Sequence, residues 1–429
     1  MNTIGGWLLV GGFITLVCLR VPVMFAIGFS TVVTILYLDI PIVMMISQII
    51  RGLNSFSLMA IPFFILAGEI MGAGGISDRL VRLSKSMVGQ FRGGLAHVNC
   101  LGSMFFGGIS GSPAADVSSI GAILIDMMER DGYDTDFSTG VTMASSIQGL
   151  LIPPSHNMII YAMAAGGSVS IAKLFMGGLV PGIMLGLILM VFSYFVSVKR
   201  NYPKGDAFNF RFFLSSAKES VLGLLTIVII LVGVLTGVFT ATESAAIAVL
   251  WAIIVTFFVY REIPLSAIWG ILEKALYTLA RIMAIIGISS AFGWVLAYLK
   301  IPNAIVTSIT GITDNPIVIM ILMNVILLFL GMIMDMSSLI IIATPILLPI
   351  ATSIGIDPVH FGVIMMLNLG IGLITPPVGG VLFVCSGITN LPMERLTKAM
   401  IPFYAVLLFG LILITYVPAI SMTVVNLLY

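Results

Sequence analysis

The sequence predicts an all-α polytopic membrane protein assembled from two inverted repeats, and three observations carry that prediction. First, 59% of the 429 residues are hydrophobic and only 9% are charged, where a soluble domain carries about a quarter charged residues. Second, the apolar residues gather into runs of the length a helix needs to cross a bilayer, about 20 residues. Third, short motifs recur at a near-constant spacing. Met59-Ala60-Ile61 returns as Met283-Ala284-Ile285 and Phe105-Phe106-Gly107 as Phe329-Leu330-Gly331, both 224 residues later. Gly149-Leu150 and Pro153-Pro154 return as Gly372-Leu373 and Pro376-Pro377 at 223, and Pro181 as Pro402 at 221. The repeats then occupy 1–215 and 216–429.

About ten crossings are expected, near 4–19, 22–40, 55–74, 138–165, 171–198, 218–237, 239–259, 276–298, 357–385 and 398–417. The first lacks a charged leader and a small-residue cleavage site, so Met1–Leu19 reads as a retained span rather than a signal peptide. Segments 94–127 and 316–355 are apolar but turn in the middle, at Ser110-Gly111-Ser112-Pro113 and at Asp335-Met336-Ser337-Ser338. Each half is short for a full crossing, so both read as re-entrant helical hairpins. Segments 138–165 and 357–385 each contain a Pro-Pro step, Pro153-Pro154 and Pro376-Pro377. Proline removes a backbone donor and clashes with the preceding turn, so each is expected to be a broken helix. A bilayer tolerates freed backbone groups only where protein or a water-filled cavity satisfies them. Interrupted segments at matching places in two halves point to a transporter's binding site. Two short amphipathic stretches, 41–53 and 264–275, are expected to lie along the interfaces as arms.

Basic residues set the orientation. Arg79, Arg82, Lys85 and Arg92 mark segment 75–93, and Lys199, Arg200, Lys204, Arg211 and Lys218 mark the central connection. Both are expected in the cytoplasm, which puts both termini outside. The counterpart of 75–93, about 299–316, carries only Lys300, as inversion requires. The two hairpins then open from opposite faces.

Composition also excludes functions. A net charge of +1 excludes a nucleic-acid surface as the main role. Cys18, Cys100 and Cys385 are scattered through apolar stretches and show no metal or disulfide spacing. Neither a Walker loop nor an HExxH motif is present, so the chain contains no nucleotide-driven motor. An intramembrane hydrolase using a serine with His156 lacks a nucleophile motif, and the chain is read as a non-enzyme.

The chemistry is expected at the four interruptions. Ser112 suits an N-cap and Pro113 the first helical position; the helix N-terminus there points amides at mid-membrane. The half-helix before it ends with free carbonyls, which suit a small cation. The second tip repeats the theme with Gly331, Asp335, Ser337 and Ser338. Ser145, Gly149 and Ser155 flank the first break, and Asn368, Gly372 and Thr375 the second. Hydroxyls plus carbonyls make a hard oxygen cage that suits sodium, although a lone serine usually bonds back to its own helix. Intramembrane ionisable groups are functional candidates by default. Asp335 could ligate sodium, contact substrate or cap its helix. Asp116 could be a dipole-stabilised structural acid, and Glu243 follows Thr240 in a capping box. Glu69 and Arg281 fall near span ends and could snorkel. His97 and His360 read as solvated or packed, while His156, close to the first break, could bond a ligand or simply pack locally.

Ser57–Glu69 (SLMAIPFFILAGE), Gly107–Asp116, Ile152-Pro153-Pro154-Ser155 and Gly372–Pro377 followed by Gly379 resemble the large membrane subunit of tripartite ATP-independent periplasmic (TRAP) transporters, over essentially the full length. The resemblance implies an elevator-type fold and sodium-coupled uptake of an organic acid in the bacterial inner membrane. It implies a periplasmic substrate-binding protein and a small four-helix membrane subunit as partners, with sodium as coupling ion and no cofactor. Carried onto this chain, the sodium positions are Ser110, Ser112, Ser145 and Gly149, then Gly331, Asp335, Gly372 and Thr375. Substrate contacts fall to Ser110, Ser155, His156, Asp335 and Ser337. The first tip and Ser155-His156-Asn157 look most like sialic-acid members. C4-dicarboxylate and sugar-acid members share most of the scaffold, and a stand-alone sodium–dicarboxylate carrier is the other reading. No arginine lies at either tip, so acid binding there would rest on helix dipoles, hydroxyls and sodium.

Overall fold

The computed structural model describes residues 3–19, 21–54, 56–302, 304, 307, 313 and 315–429. Among them every regular element is a helix, and the only strand-like contact is an isolated bridge between Arg92 and Lys204. Six described helices are long and apolar enough to cross a membrane: Ile171–Lys199, Phe210–Leu235, Ala241–Tyr260, Leu265–Tyr298, Met336–Ser353 and Met393–Tyr416. All but Met336–Ser353 fall on expected crossings. The expected spans 4–19, 22–40 and 55–74 are helical but shorter. Val23–Tyr37, with 15 residues, covers only about 22 Å, so the bilayer must thin or flanking residues must reach to meet it.

The hairpins form where the turns predicted them. Gly94–Ser110 returns as the helical run from Pro113 to Arg130, and Pro316–Gly331 returns as Met336–Ser353. The last of these has 18 residues, about 27 Å. Length alone would therefore allow it to cross, and the expectation that every hairpin half is short fails there. Both Pro-Pro steps break helices, the first between Gln148–Leu151 and His156–Ala164, the second between Pro358–Leu373 and Gly380–Thr389. Both Pro-Pro bonds are cis.

The broken helices are the core. Every residue from 137 to 155, and from 359 to 372, is buried, as expected of helices apolar on all sides. Tyr161 Oη ties the two together by donating to Pro358 O at 2.6 Å. Outside them, helices such as Ile171–Lys199 expose Leu187, Val191 and Phe195, a lipid-facing surface.

The two arms differ. Ile42–Leu53 is a separate helix ended at Asn54 (φ −90°, ψ 60°). Its expected partner 264–275 is not separate, because it runs through Lys274-Ala275-Leu276 into the following span as one helix, Leu265–Tyr298. No glycine or proline stands at that junction to stop it. At about 1.5 Å per residue, this helix is longer than the hydrocarbon core, about 30 Å. Its first turns therefore extend past the apolar layer.

The basic segment forms the amphipathic helix Ile76–Val88, bent by 73° from Ala60–Ala73. Arg79 pairs with Glu262 at 2.6 Å and Arg82 with Glu219 at 3.1 Å. The segment is thereby fastened both to the turn that precedes the long helix and to the helix Phe210–Leu235. Its counterpart, about 299–316, lies partly outside the described residues.

Candidate functional site

At the first tip, Gly94–Ser110 ends on Gly111 in the left-handed region (φ 61°), whose N–H donates to Gly107 O at 2.8 Å. Ser112 then starts the return helix: its hydroxyl accepts from Ala115 N at 3.4 Å, with Pro113 in the first turn. A side chain at position 111 would lie 3.0 Å from Pro154 O and 3.2 Å from Ser155 Cα. The tip is thus pressed against the first break. At the second tip, the Asp335 carboxylate accepts from Ser337 N at 3.1 Å and Ser338 N at 3.4 Å. Asp335 caps its helix and stays exposed. Val378 N donates to Met332 O at 3.1 Å, which joins this tip to the second break.

Each hairpin also crosses a broken helix through paired glycines. A Cβ on Gly107 would lie 2.5 Å from Gly149 Cα, and a Cβ on Gly372 would lie 2.7 Å from Gly331 Cα. Gly107, Gly149 and Gly372 hold backbone against backbone, an approach no side chain permits, whereas a Cβ on Gly331 would meet Gly372 Cα at an ordinary 3.4 Å. About one turn away the crossings are polar. Ser145 Oγ donates to Asn99 Oδ1 at 3.0 Å and lies 3.1 Å from Ser103 Oγ; Asn99 Nδ2 donates to Thr142 Oγ1 at 2.6 Å. In the second half, Asn368 Nδ2 donates to Asn324 Oδ1 at 2.7 Å and leaves its own Oδ1 without a partner. Thr375 Oγ1 bonds back to Ile371 O at 2.7 Å, and Tyr404 Oη takes Ile374 O, one of the carbonyls next to the break, at 2.5 Å.

Both tips face a single cavity of about 1190 Å³, which Ser110, Ser112, His156, Asp335 and Ser337 all line. It adjoins a smaller cavity, with which it shares Gly72, Ala73, Ser118 and Ser119, and which reaches Asp78 and Glu262 beside the basic segment. The remaining sequence candidates lie behind the cavity wall. Ser145, Gly149, Gly331, Gly372 and Thr375 sit at the crossings and breaks. Ser155 is fully buried with its hydroxyl unpartnered, behind Gly111 rather than on the cavity surface.

Sequence reasoning missed part of the wall. Lys274 lines the cavity, and so do Glu69 and Arg281, which were expected to snorkel. Arg281 lies well inside the continuous helix Leu265–Tyr298, which explains the difference: its charge meets the cavity rather than the membrane surface. Asn157 was also missed; its Oδ1 accepts from Ser337 Oγ at 3.4 Å, linking the second tip to the first broken helix. The structural readings elsewhere hold. Thr240 and Glu243 form a reciprocal capping box, and His360 is packed with Nδ1 2.6 Å from Ser421 Oγ. His97 packs between Phe91 and Tyr194. Asp116 stands apart from these, buried with one carboxylate oxygen unpartnered.

Two hairpins and two broken helices that converge on one cavity inside an apolar helical body define a membrane transport protein. Residues 10–420 match the family described as tripartite ATP-independent periplasmic transporter, DctM component. The chain belongs to that family, that of the TRAP large permeases, and is a transporter subunit rather than an enzyme. It is 41% identical over 371 residues to the C4-dicarboxylate TRAP transporter large permease protein DctM of Pseudomonas aeruginosa, covering 86% of each chain. It is 39% identical to the sialic acid TRAP transporter large permease protein SiaM of Vibrio cholerae, again over 86% of each. An isethionate TRAP transporter permease protein DctMQ of Oleidesulfovibrio alaskensis is 40% identical, over 96% of this chain and 65% of that one. Among solved structures, the YdaH transporter of Alcanivorax borkumensis superposes with a TM-score of 0.65 at 13% identity, over 86% of this chain and 87% of that chain. That likeness concerns the fold alone.

Proposed function

We propose that this large permease carries out sodium-coupled uptake of an organic acid across the bacterial inner membrane by an elevator movement of the hairpins and broken helices. The observation that carries the reading is the meeting of both hairpin tips in one cavity, each tip backed by a glycine crossing at a broken helix. Such a crossing holds free helix ends rigidly against each other, which is what an ion site at mid-membrane needs. Sodium fits the donors present: neutral hydroxyls and carbonyls, hard oxygen ligands. Among the described residues no cluster of His, Cys, Asp and Glu would favour another metal. The first sodium position is assigned to Ser110, Ser112, Ser145 and Gly149, the second to Gly331, Asp335, Gly372 and Thr375. The acid is assigned to the cavity face of the tips, at Ser110, His156, Asp335 and Ser337, with Ser155 supporting the first tip from behind.

The basic segment supports a cytoplasmic cavity mouth, and with it a reading of this conformation as inward-facing with both termini outside. A periplasmic binding protein would deliver the acid, and a small four-helix membrane subunit would complete the permease. Sialic acid is the substrate favoured by the first tip and the residues after Pro154. Relatives named for a dicarboxylate and a sulfonate have nearly the same identity, so overall similarity does not rank the acids.

The test is uptake into proteoliposomes holding both membrane subunits, with binding protein added outside. The expected result is accumulation of N-acetylneuraminate that requires both a sodium gradient and the binding protein, and that excess succinate leaves unchanged. Accumulation without the binding protein would sink the tripartite reading; inhibition by succinate would move the substrate to the dicarboxylates.

A further inference from the structure

The cavity has a charged wall that the tips do not supply. Lys274, Thr278 and Arg281 line it from the helix Leu265–Tyr298. Their spacing of four and then three residues puts them on one stripe, with the two cations about 10 Å apart along the axis. Both cations are exposed. Among the described residues neither makes an ion pair or a hydrogen bond. Glu69, on the neighbouring helix Ala60–Ala73, lies within electrostatic reach of Lys274 without closing a pair. The tips, by contrast, offer hydroxyls, amides and the negative Asp335. Among the described residues, Lys274 and Arg281 are thus the only lysine or arginine side chains lining the cavity.

A second cavity, of about 720 Å³, lies toward the other end of the same helix, where Ile286 and Ser290 line it. Arg51 lines it too. Lys274 follows Arg51 by 223 residues, within one residue of the 224 that separates the nearby Met59 and Met283. Each cavity therefore carries a cation at a repeat-related position.

We propose that Lys274 and Arg281 form a second acid-binding station, separate from the tips, that receives the carboxylate or sulfonate as it leaves the tips toward the basic face. Arg51 plays the mirror part in the opposite cavity. An acid held at the tips by hydroxyls and helix ends gains a full charge partner on the wall of the exit. An ionic hydrogen bond is about twice as strong as a neutral one, so the transfer draws the anion away from Asp335. Glu69 limits how long it stays by competing for Lys274. The station gives the path a sidedness that the tips alone do not have.

The inference rests on the transport reading, and the experiment separates the two. Proteoliposomes with both membrane subunits and binding protein are loaded with N-acetylneuraminate, succinate or isethionate, and counterflow is measured against internal acid concentration. Removing both cations in K274Q/R281Q is expected to raise the internal half-saturation about tenfold. External dependence on loaded binding protein should stay unchanged, and K274R/R281K should return the internal value to within about twofold. R51Q is expected to shift the external value only. An unchanged internal half-saturation in K274Q/R281Q overturns the station. Equal loss in K274R/R281K also overturns it, by showing that the residues only hold the helix in place. A shift of the internal value in R51Q overturns the mirror assignment. If wild-type protein moves none of the three acids, the transport reading itself fails and the station falls with it.

Discussion

At the first hairpin tip a neutral hydroxyl, Ser112 Oγ, caps the returning helix through one amide, whereas at the second the Asp335 carboxylate holds two. The contrast continues behind the tips. Ser103, Thr142 and Ser145 gather hydroxyls around Asn99 in the first half, while Asn324 and Asn368 pair amides in the second. The backbone hardly differs: a glycine crossing and a Pro-Pro break occur in both. The same backbone devices, glycine and proline, stand at both sites, while the side chains around them differ. The hydroxyl-rich half is suited to a small cation alone. The carboxylate half instead places an acidic side chain on the cavity wall.

The largest expected effect tests the crossings. A methyl at Gly107 would sit 2.5 Å from Gly149 Cα, so two helices must separate to admit it. Overpacking of this kind costs about 1–3 kcal/mol. It would also move the first tip off its break, so Gly107→Ala is expected to leave about a tenth of wild-type uptake or less. Gly372→Ala should behave alike, since its Cβ would meet Gly331 C at 2.6 Å. Gly331→Ala is different, because its Cβ would meet Gly372 Cα at 3.4 Å, an ordinary contact. Uptake and thermal stability near wild type are expected there. Equal loss at Gly331 and Gly107 would show that the crossings are equivalent and that this difference has no consequence.

The caps come next. Asp335→Asn keeps an acceptor for the helix amides and removes the charge, while Asp335→Ala removes both. If the charge matters, the sodium concentration for half-maximal uptake should rise about fivefold in the Asn variant and about tenfold in the Ala variant. Ser112→Ala loses only a neutral cap, worth about 1 kcal/mol, and a rise of about threefold is expected. Sodium dependence unchanged in Asp335→Asn but altered in Asp335→Ala would reduce the carboxylate to a structural cap. The two tips would then differ in strength and not in kind.

How far the sequence foretold this follows from the range of each signal. Ser112, Pro113, Asp335 and the Pro-Pro steps act within one helical turn of themselves, so caps and breaks could be read where they stand. The glycines at 149 and 372 were picked out for their places beside the breaks. What they touch, Gly107 and Gly331, depends on how two distant segments cross. The arm expected at 264–275 misled because an amphipathic stretch looks the same whether it ends or continues into a span. That error concealed Lys274 and put Arg281 at the membrane surface. Ser155 failed to reach the cavity for a different reason: the restart of the helix at His156 turns its side chain toward the buried side. Neither periodicity nor composition records which side of a broken helix faces water.

The smallest effect lies outside both half-sites and serves as their control. Between the first hairpin and the first broken helix, Asp134 accepts from Tyr202 Oη at 2.6 Å and from Arg200 Nη1 at 2.8 Å. The Tyr202 hydrogen bond first, and then Arg200, hold this carboxyl below its ordinary value. A lowered folded-state value stabilises the fold above the unfolded carboxylate pKa, about 3.9. That contribution is lost as pH falls through the folded value. The side chains of Asp134 and Arg200 are 60% and 45% exposed, so solvent screening limits the contribution to about 1 kcal/mol or less. Asp134→Asn is therefore expected to lower the melting midpoint at pH 7 by about one to two degrees. The difference should shrink as pH falls below about 3.9, and sodium dependence should be that of the wild type throughout. A shift in sodium half-saturation from this distant acid would mean that charge anywhere on the hairpin's rim tunes the site. The difference between Ser112 and Asp335 could then no longer be assigned to the tips themselves.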